Sequence, residues 1–138
     1  GLEHYFPNNN RSQLQKTAEN TLICDFYNAN PSSMSAALNN ISSLTAVHKV
    51  AILGDMFELG KEAAEQHELI VKKAIAAGLT QLIFIGKSFA EYEGQYVAQF
   101  FHTPAEASAY LMANAIKNSL VLLKGSRGMA LEQLMPLL

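Results

Sequence analysis

The chain has 138 residues, of which 49% are hydrophobic, so it is long enough to bury the core of one globular domain. The 10 basic and 12 acidic residues give a net charge of −2, which argues against binding nucleic acid or a membrane surface through bulk positive charge. The histidines and the cysteine form no CxxC or HExxH pattern, and no apolar run approaches the ~20 residues of a membrane helix. Neither a metal site nor membrane insertion is therefore predicted.

The first residues, GLEHYFPNNNRSQ, are polar and typical of a linker rather than of a signal peptide. We expect residues 1–12 to be an interdomain linker leading into a single domain, and residues 1–138 to be part of a longer protein. Cys24 has no partner within the chain for a disulfide, which agrees with a reduced, cytoplasmic setting. Its apolar neighbours favour a buried hydrophobic residue over a nucleophile.

Apolar runs of strand length then alternate with helical stretches. The alternating segment SQLQKT predicts a hairpin strand, and buried strands are predicted at 21–26, 49–53, 81–85 and 119–123, with a weaker one at 96–102. Helices are predicted at 31–44, 61–77 and 103–117, and residues 129–134 are predicted to begin a final helix. Uniformly apolar strands are covered on both faces. The order predicts an α/β fold, an open and mostly parallel sheet with helices on both faces and an N-terminal hairpin strand.

Ligands of open α/β sheets bind outside the carboxyl ends of the strands, which here precede DFYNANP, GDMFELG, GKS and KGSRG. In DFYNANP, Asp25 could accept two hydrogen bonds from a ribose diol, and Tyr27 could stack on a base. Asn28 and Asn30 can donate and accept hydrogen bonds. A plain turn with Asn30 leading into the helix explains the same residues, so both interpretations stay open.

In GDMFELG, Asp55 and Glu58 could hold a cation or position an amine, or could simply favour the following helix through its dipole. His67 lies on the apolar stripe of that helix, where a buried structural histidine is the commoner case. GKS is not a P-loop, because the first glycine of G-x-x-x-x-G-K-[ST] is replaced by Gln81.

The KGSRG loop is the stronger candidate for binding an anion. Lys124 and Arg127 lie in one short loop with Ser126 and two glycines, between a strand and a helical segment. Backbone amides and two cations there would attract phosphate or carboxylate, although a glycine-rich turn with solvated charges is the alternative. Arg11 is a further cation whose direction the pattern does not fix.

Together, DFYNANPSSM, LGDMFELG followed by His67, and LKGSRGM resemble, in this order, the carboxyl-terminal domain of the Mur ligases. The resemblance covers essentially all 138 residues and is strongest to the MurF type, which joins D-alanyl-D-alanine to UDP-N-acetylmuramoyl-tripeptide. D-x-YNANP-x-SM is specific to that type, whereas KGSR alone would be weak. NNNR stands where many members have GR.

The resemblance implies a Rossmann-like domain of an ATP-dependent ligase of peptidoglycan precursor synthesis, which forms an acyl phosphate on the nucleotide-peptide. Its partners would be the central and N-terminal domains of the same ligase, with ATP and Mg²⁺ held by the central domain. The fragment alone would be inactive. The alternatives are a freestanding nucleotide- or anion-binding module, a structural interaction domain, or another Mur-type ligase (MurE or folylpolyglutamate synthase type).

The resemblance also implies roles for individual residues. Asp25 matches an aspartate that contacts the ATP ribose, and Arg11 matches a hinge arginine that reaches toward the nucleotide. The loop residues Tyr27, Asn28 and Asn30 would line the nucleotide side of the cleft. The substrate side would be formed by Lys124, Ser126 and Arg127, with Asp55, Glu58 and His67 in a third motif.

Overall fold

The computed structural model describes residues 12–138. Its strands are β1 (Gln13–Lys16), β2 (Thr21–Asp25), β3 (Lys49–Gly54), β4 (Gln81–Ile85), β5 (Gln99–Phe101) and β6 (Leu120–Lys124). Its α-helices are α1 (Pro31–Ser43), α2 (Ala63–Ala76), α3 (Lys87–Ala90) and α4 (Pro104–Ala113). Short 3₁₀ turns cover Gly60–Glu62, Arg127–Met129 and Leu131–Leu137.

These strands form one sheet in the order β1-β2-β6-β3-β4-β5. Strand β1 runs antiparallel to β2, with Gln13 opposite Cys24, and every other neighbouring pair is parallel. The mostly parallel sheet and the N-terminal hairpin strand are thus confirmed. Because parallel strands end at a common edge, the loops that follow β2, β6, β3 and β4 lie side by side in that order.

Helices cover both faces of the sheet, as predicted. Successive residues of β3 point to opposite faces, so Ala51 and Leu53 pack with α1, α2 and α3, whereas Val50 and Ile52 pack with α4 and Leu131–Leu137. Helix α1 buries Met34, Leu38 and Ile41, at steps of four and three residues. The core therefore lies in two layers, one on each side of the sheet.

Four elements differ from the sequence predictions, three of them in the carboxyl-terminal third. Helix α4 ends at Ala113 rather than near 117, because the chain leaves the helix at Asn114 (φ −136°, ψ 71°) and buries Ile116. The helix predicted from 129 is instead a pair of 3₁₀ turns, separated by Ala130 in the left-handed region at φ 53° and containing Pro136. The predicted strand at 96–102 is shorter, and α3 was not predicted because four residues carry no periodic signal.

Within residues 12–138, no helix is both long and apolar enough to cross a bilayer. The predicted linker at 1–12 and Arg11 lie outside the described residues, save for Ser12. The assignment of residues 1–138 to a single domain therefore stays a prediction.

Candidate functional site

A buried ion pair joins the ends of β2 and β6. The register of these strands places Asp25 opposite Lys124, and Lys124 Nζ donates to Asp25 Oδ2 at 2.7 Å. The two residues are only 2% and 3% exposed. A second Lys124 N–H donates to the Asn28 carbonyl oxygen at 2.8 Å, so the lysine ties the DFYNANP loop to the KGSRG loop.

The other oxygen of Asp25 organises its own loop. Asp25 Oδ1 accepts hydrogen bonds from the backbone N–H groups of Tyr27 at 3.0 Å and Asn28 at 3.3 Å. A carboxylate offers about four acceptor positions, and three are occupied here. A ribose diol bound by two hydrogen bonds does not fit this arrangement, because at most one further bond can be accepted. The contact between Asp25 and ribose stays a prediction within that limit.

Asn30 serves as the N-cap of α1. Its Oδ1 accepts from Ser33 N at 2.8 Å, and Asn30 N donates back to Ser33 Oγ at 3.1 Å, which completes a capping box. Its Nδ2 also donates to Asn28 Oδ1 at 3.4 Å. The helix-entry interpretation therefore accounts for Asn30, and its nucleotide contact stays a prediction.

The exposed residues of the site lie in the same two loops that the Asp25–Lys124 pair holds together. Tyr27 is 48% exposed, and the Arg127 guanidinium carbon lies 5.2 Å from the centroid of its ring, within cation–π range. Asn28 and Arg127 are exposed, and Ser126 Oγ contacts the Ala29 carbonyl oxygen at 3.5 Å. The residues predicted for the nucleotide side and for the KGSR loop are thus brought together around one ion pair.

Asp55 and His67 form a second, buried cluster at the ends of β3 and β4. Asp55 accepts hydrogen bonds from the backbone N–H groups of Ser88 at 2.9 Å and Phe89 at 3.0 Å, in the first turn of α3. His67 Nε2 accepts from Met56 N at 2.9 Å, and its Nδ1 lies 2.7 Å from the Ala63 carbonyl oxygen, which it reaches as a donor. These contacts describe a neutral histidine with its proton on Nδ1.

The buried cluster leaves no room at Gly86. A Cβ on this glycine would lie 2.1 Å from Asp55 Cγ, and its φ of 133° disfavours any other residue. The GKS sequence thus owes its glycine to Asp55 rather than to a phosphate. His67 is fully buried and Asp55 is 5% exposed, so in this conformation neither is accessible to a ligand. Their predicted substrate contacts stay predictions.

Two residues of the GDMFELG loop face outward. Glu58 is exposed, with a left-handed φ of 64°. Phe57 is 46% exposed, and a Cβ placed on Gly128 would lie 3.0 Å from its Cε2 atom, so its ring lies directly over Gly128. Sequence reasoning missed Phe57. The sequence did offer a signal, because Phe57 is an aromatic residue in a loop bracketed by Gly54 and Gly60 at the end of a strand. An aromatic residue in such a loop is not needed for the core.

Cys24 precedes Asp25 and is 4% exposed. Burial raises the pKa of its thiol to about 12, so the thiol stays protonated at neutral pH. This supports the interpretation of Cys24 as a buried hydrophobic residue. Among residues 12–138, no group of three or more histidine, cysteine or acidic side chains is arranged to hold a metal ion.

An open groove of ≈ 450 Å³ lies at the opposite edge of the sheet, lined by residues 16–21, 45–46 and 118–120. It contains the starts of β2 and β6 and none of the predicted site residues. The carboxyl edge is the better candidate because its polar side chains converge there and because open α/β sheets bind ligands at that edge.

Residues 10–127 match the family model described as Mur ligase, glutamate ligase domain. This chain belongs to the Mur ligase family. The resemblance carried by DFYNANP, GDMFELG and KGSRG is therefore confirmed at the level of the family.

Named relatives of this Mur ligase chain come from several bacteria. The UDP-N-acetylmuramoyl-tripeptide–D-alanyl-D-alanine ligase of Treponema pallidum (strain Nichols) is 38% identical over 145 residues, covering 100% of this chain and 31% of the relative. A crystal structure of MurF from Acinetobacter baumannii superposes with a TM-score of 0.80 at 28% identity, covering 95% of this chain and 30% of that one. The structure of the MurF ligase from Thermotoga maritima in complex with ADP has a TM-score of 0.71 at 21% identity, covering 93% and 30%, and shows a shared fold. The chain thus spans less than a third of the length of each of these proteins.

Proposed function

We propose that the chain is the carboxyl-terminal domain of an ATP-dependent ligase that joins D-alanyl-D-alanine to UDP-N-acetylmuramoyl-tripeptide in peptidoglycan precursor synthesis. The observation that carries the proposal is the convergence of the DFYNANP and KGSRG loops on one buried pair, Asp25 and Lys124, at the carboxyl edge of the sheet. The name of the T. pallidum relative supplies the substrate class.

In this proposal the nucleotide meets the exposed residues of the DFYNANP loop. Tyr27 and Asn28 present an aromatic ring and an amide at the surface, with the Arg127 guanidinium stacked on the far side of the Tyr27 ring toward the peptide substrate. A ring and an amide suit a purine base, and the T. maritima ligase is one that binds ADP. Asp25 and Lys124 act mainly by holding the two loops, with one acceptor position of Asp25 left for a ribose hydroxyl. Arg11, outside the described residues, is proposed to reach the same nucleotide.

Ser126 and Arg127 are proposed to face the anionic end of the peptide substrate or the incoming dipeptide. Lys124 contributes to that side through the backbone of its loop, because its ammonium group is buried against Asp25. Glu58 is the one exposed member of the third motif, and we assign the approach of the dipeptide amine to it. Asp55 and His67 position the loop that carries Glu58.

The chemistry divides naturally between domains. The substrate carboxylate takes the γ-phosphoryl group of ATP and ADP leaves. The amine of D-alanyl-D-alanine then attacks the acyl carbon, releasing phosphate and a proton as the amide bond forms. Mg²⁺ held by the central domain would neutralise charge on the phosphates. This domain supplies positioned cations and polar groups, and on closure it excludes the water that would hydrolyse an acyl phosphate. Its partners are the other domains of the same cytoplasmic enzyme.

The experiment is a ligation assay with ATP, UDP-N-acetylmuramoyl-tripeptide and D-alanyl-D-alanine, run on the complete ligase and on the 138-residue chain alone. Product is expected from the complete enzyme and none from the chain. Ligation by the chain would overturn the division of labour, and no ligation by the complete enzyme would overturn the substrate assignment.

Calorimetric titration of the chain with ATP separates this proposal from a freestanding nucleotide-binding module. The proposal expects at most weak binding, since the phosphate cradle belongs to another domain, whereas micromolar affinity would favour the module. Replacing the dipeptide by single amino acids, glutamate among them, in the ligation assay separates it from other Mur-type ligases. The proposal expects product with the dipeptide and none with a single amino acid.

A further inference from the structure

We infer that Phe57 is a positioning residue for Arg127, and that it thereby sets the enzyme's affinity for an anionic substrate. This inference rests on the proposed function and adds to it a residue that no sequence pattern assigned. Its ligand chemistry is a phosphate or carboxylate, the group that a guanidinium binds best.

The loop after β3 contacts the loop after β6. Phe57 comes from the loop after β3, and Gly128 from the loop after β6. A Cβ on Gly128 would approach Phe57 Cε2 to 3.0 Å, which is tighter than ordinary van der Waals contact. The absence of a side chain at Gly128 therefore gives the ring its place. Gly128 does not adopt a positive φ, so the glycine is explained by this contact rather than by backbone conformation.

The Phe57 ring is partly exposed to solvent. Phe57 is 46% exposed although its neighbour Met56 is 2% exposed and belongs to the core. Glu58, immediately after it, adopts a left-handed φ of 64°, and Gly60 follows at φ 60°. The chain turns sharply at these two residues, and Leu59 between them packs back against the core, which leaves Phe57 on the outside of the turn. The described contact that removes part of this ring from water is the one with Gly128 in the neighbouring loop.

Phe57 is linked to the Arg127 guanidinium group through Gly128. Arg127 directly precedes Gly128, and its guanidinium carbon lies 5.2 Å from the ring centroid of Tyr27. The 3₁₀ turn Arg127–Met129 is thus held from two sides, by Tyr27 under the guanidinium and by Phe57 over Gly128. An arginine fixed in this way loses less conformational entropy when it binds an anion.

The first test uses the 138-residue chain and needs no enzyme activity. In nuclear magnetic resonance spectra, the Arg127 side-chain protons should show a ring-current shift from Tyr27. Phe57→Ala should move these resonances toward random-coil values, whereas Phe57→Leu, which keeps an apolar side chain over Gly128, should largely preserve them. Met112→Ala is the matched control, because Met112 is a large apolar residue, 74% exposed, on α4. Unchanged Arg127 resonances in Phe57→Ala would overturn the inference.

The second test measures KM for each of the three substrates in the complete ligase. Phe57→Ala should raise KM for one anionic substrate by about two- to fivefold, the range expected for an exposed cation–π contact, with kcat little changed. The substrate affected identifies the source of the anion, whether the phosphates of ATP or a peptide carboxylate. Phe57→Leu should restore KM, and Met112→Ala should leave it unchanged.

A double-mutant cycle decides whether Phe57 acts through Arg127. In an Arg127→Ala background, Phe57→Ala should cause no further rise in KM. Gly128→Ala should reproduce the effect of Phe57→Ala, because the new methyl group displaces the ring. An additive effect of the two substitutions, or unchanged KM for all three substrates, would overturn the inference. A complete wild-type enzyme that does not ligate would instead overturn the proposed function, and the resonance test would then decide the contact by itself.

Discussion

Asp25 and Asp55 occupy equivalent places, since each lies at the carboxyl edge of the parallel sheet, just where a strand ends, and each is at most 5% exposed. Their charges are compensated differently. Asp25 faces the Lys124 ammonium group, whereas Asp55 accepts backbone N–H groups from the first turn of α3 and lies 3.8 Å from His67. The Asp25 pair has the exposed residues Tyr27 and Arg127 beside it. The side chains around Asp55, in contrast, are buried, as for His67 and Phe89, or half-buried, as for Ser88. One carboxylate therefore supports a surface that can meet a ligand, and the other supports a loop.

The largest expected loss of stability comes from removing the Lys124 cation of the buried ion pair. Lys124→Met leaves the Asp25 carboxylate buried without its partner and should lower the free energy of unfolding by about 3–5 kcal/mol. Urea denaturation at pH 7 measures it. The double variant Asp25→Asn/Lys124→Met should recover most of the loss, because no buried charge remains.

Lys49→Met is the matched control for this lysine. Lys49 Nζ donates to the carbonyl oxygens of Ile41, Ser42 and Leu44 at the end of α1, with no buried carboxylate among them. It should cost about 1 kcal/mol. Equal losses for Lys49→Met and Lys124→Met would contradict the account of the buried pair.

The second cluster is tested at Gly86. Gly86→Ala forces a methyl group onto the Asp55 carboxylate and strains a backbone at φ 133°, so about 3 kcal/mol of stability should be lost. Gly94→Ala is the comparison, since Gly94 also has a positive φ, of 85°, but no atom lies within 4 Å of its Cβ position. It should cost about 1 kcal/mol. Similar melting temperatures for the two variants would show that the Asp55 side chain moves away from the new methyl group at little cost, which would contradict its tight packing.

A smaller effect is expected at Asn30, which the family resemblance placed on the nucleotide side of the cleft. Asn30→Ala removes one half of the capping box and should cost about 1 kcal/mol. Asn30→Asp keeps an acceptor for Ser33 N and should retain most of the stability. If Asn30→Ala leaves stability unchanged in thermal unfolding, the cap is not its role.

The smallest effect at neutral pH concerns Cys24, a thiol whose pKa is raised by burial. Its folded pKa of about 12 lies above the ordinary value of 9.0, so its contribution to stability is present below about pH 9 and is lost as pH rises toward about 12. Unfolding of the wild type and of Cys24→Ala, compared at pH 8 and pH 11, isolates this contribution. The stability of the wild type relative to the variant should fall over that interval. A constant difference would contradict the raised pKa.

Much of the fold was predictable because uniformly apolar strands and helix start signals are local. The sheet, both helical layers and α1, α2 and the start of α4 follow from runs, caps and spacing in the sequence. The last 3₁₀ turns were not predictable, since they depend on Ala130 adopting a left-handed φ and on packing of Leu131 and Leu134 against the sheet. Tertiary contacts override local propensity there.

For the site, sequence predicted the loops but not the roles of their residues. Asp25 and Lys124 were assigned to different sides of the cleft, and only the β2–β6 register makes them partners. A strand-end aspartate has the same signature whether it binds a ligand, as proposed near Asp25, or caps a short helix, as Asp55 does. Phe57 was missed because its importance lies in a contact with Gly128, 71 positions away in the sequence.

The most direct test of the central claim is kcat/KM of the complete ligase carrying Arg127→Ala, measured with ATP, UDP-N-acetylmuramoyl-tripeptide and D-alanyl-D-alanine. Arg127 is exposed and loses only a surface cation–π contact with Tyr27, so its removal should lower the free energy of unfolding by about 1 kcal/mol or less. We predict that kcat/KM falls by about tenfold or more, the loss expected when a charged hydrogen bond to an anion is removed. Unchanged kcat/KM for all three substrates would contradict the claim that the surface above Asp25 and Lys124 completes the ligase site.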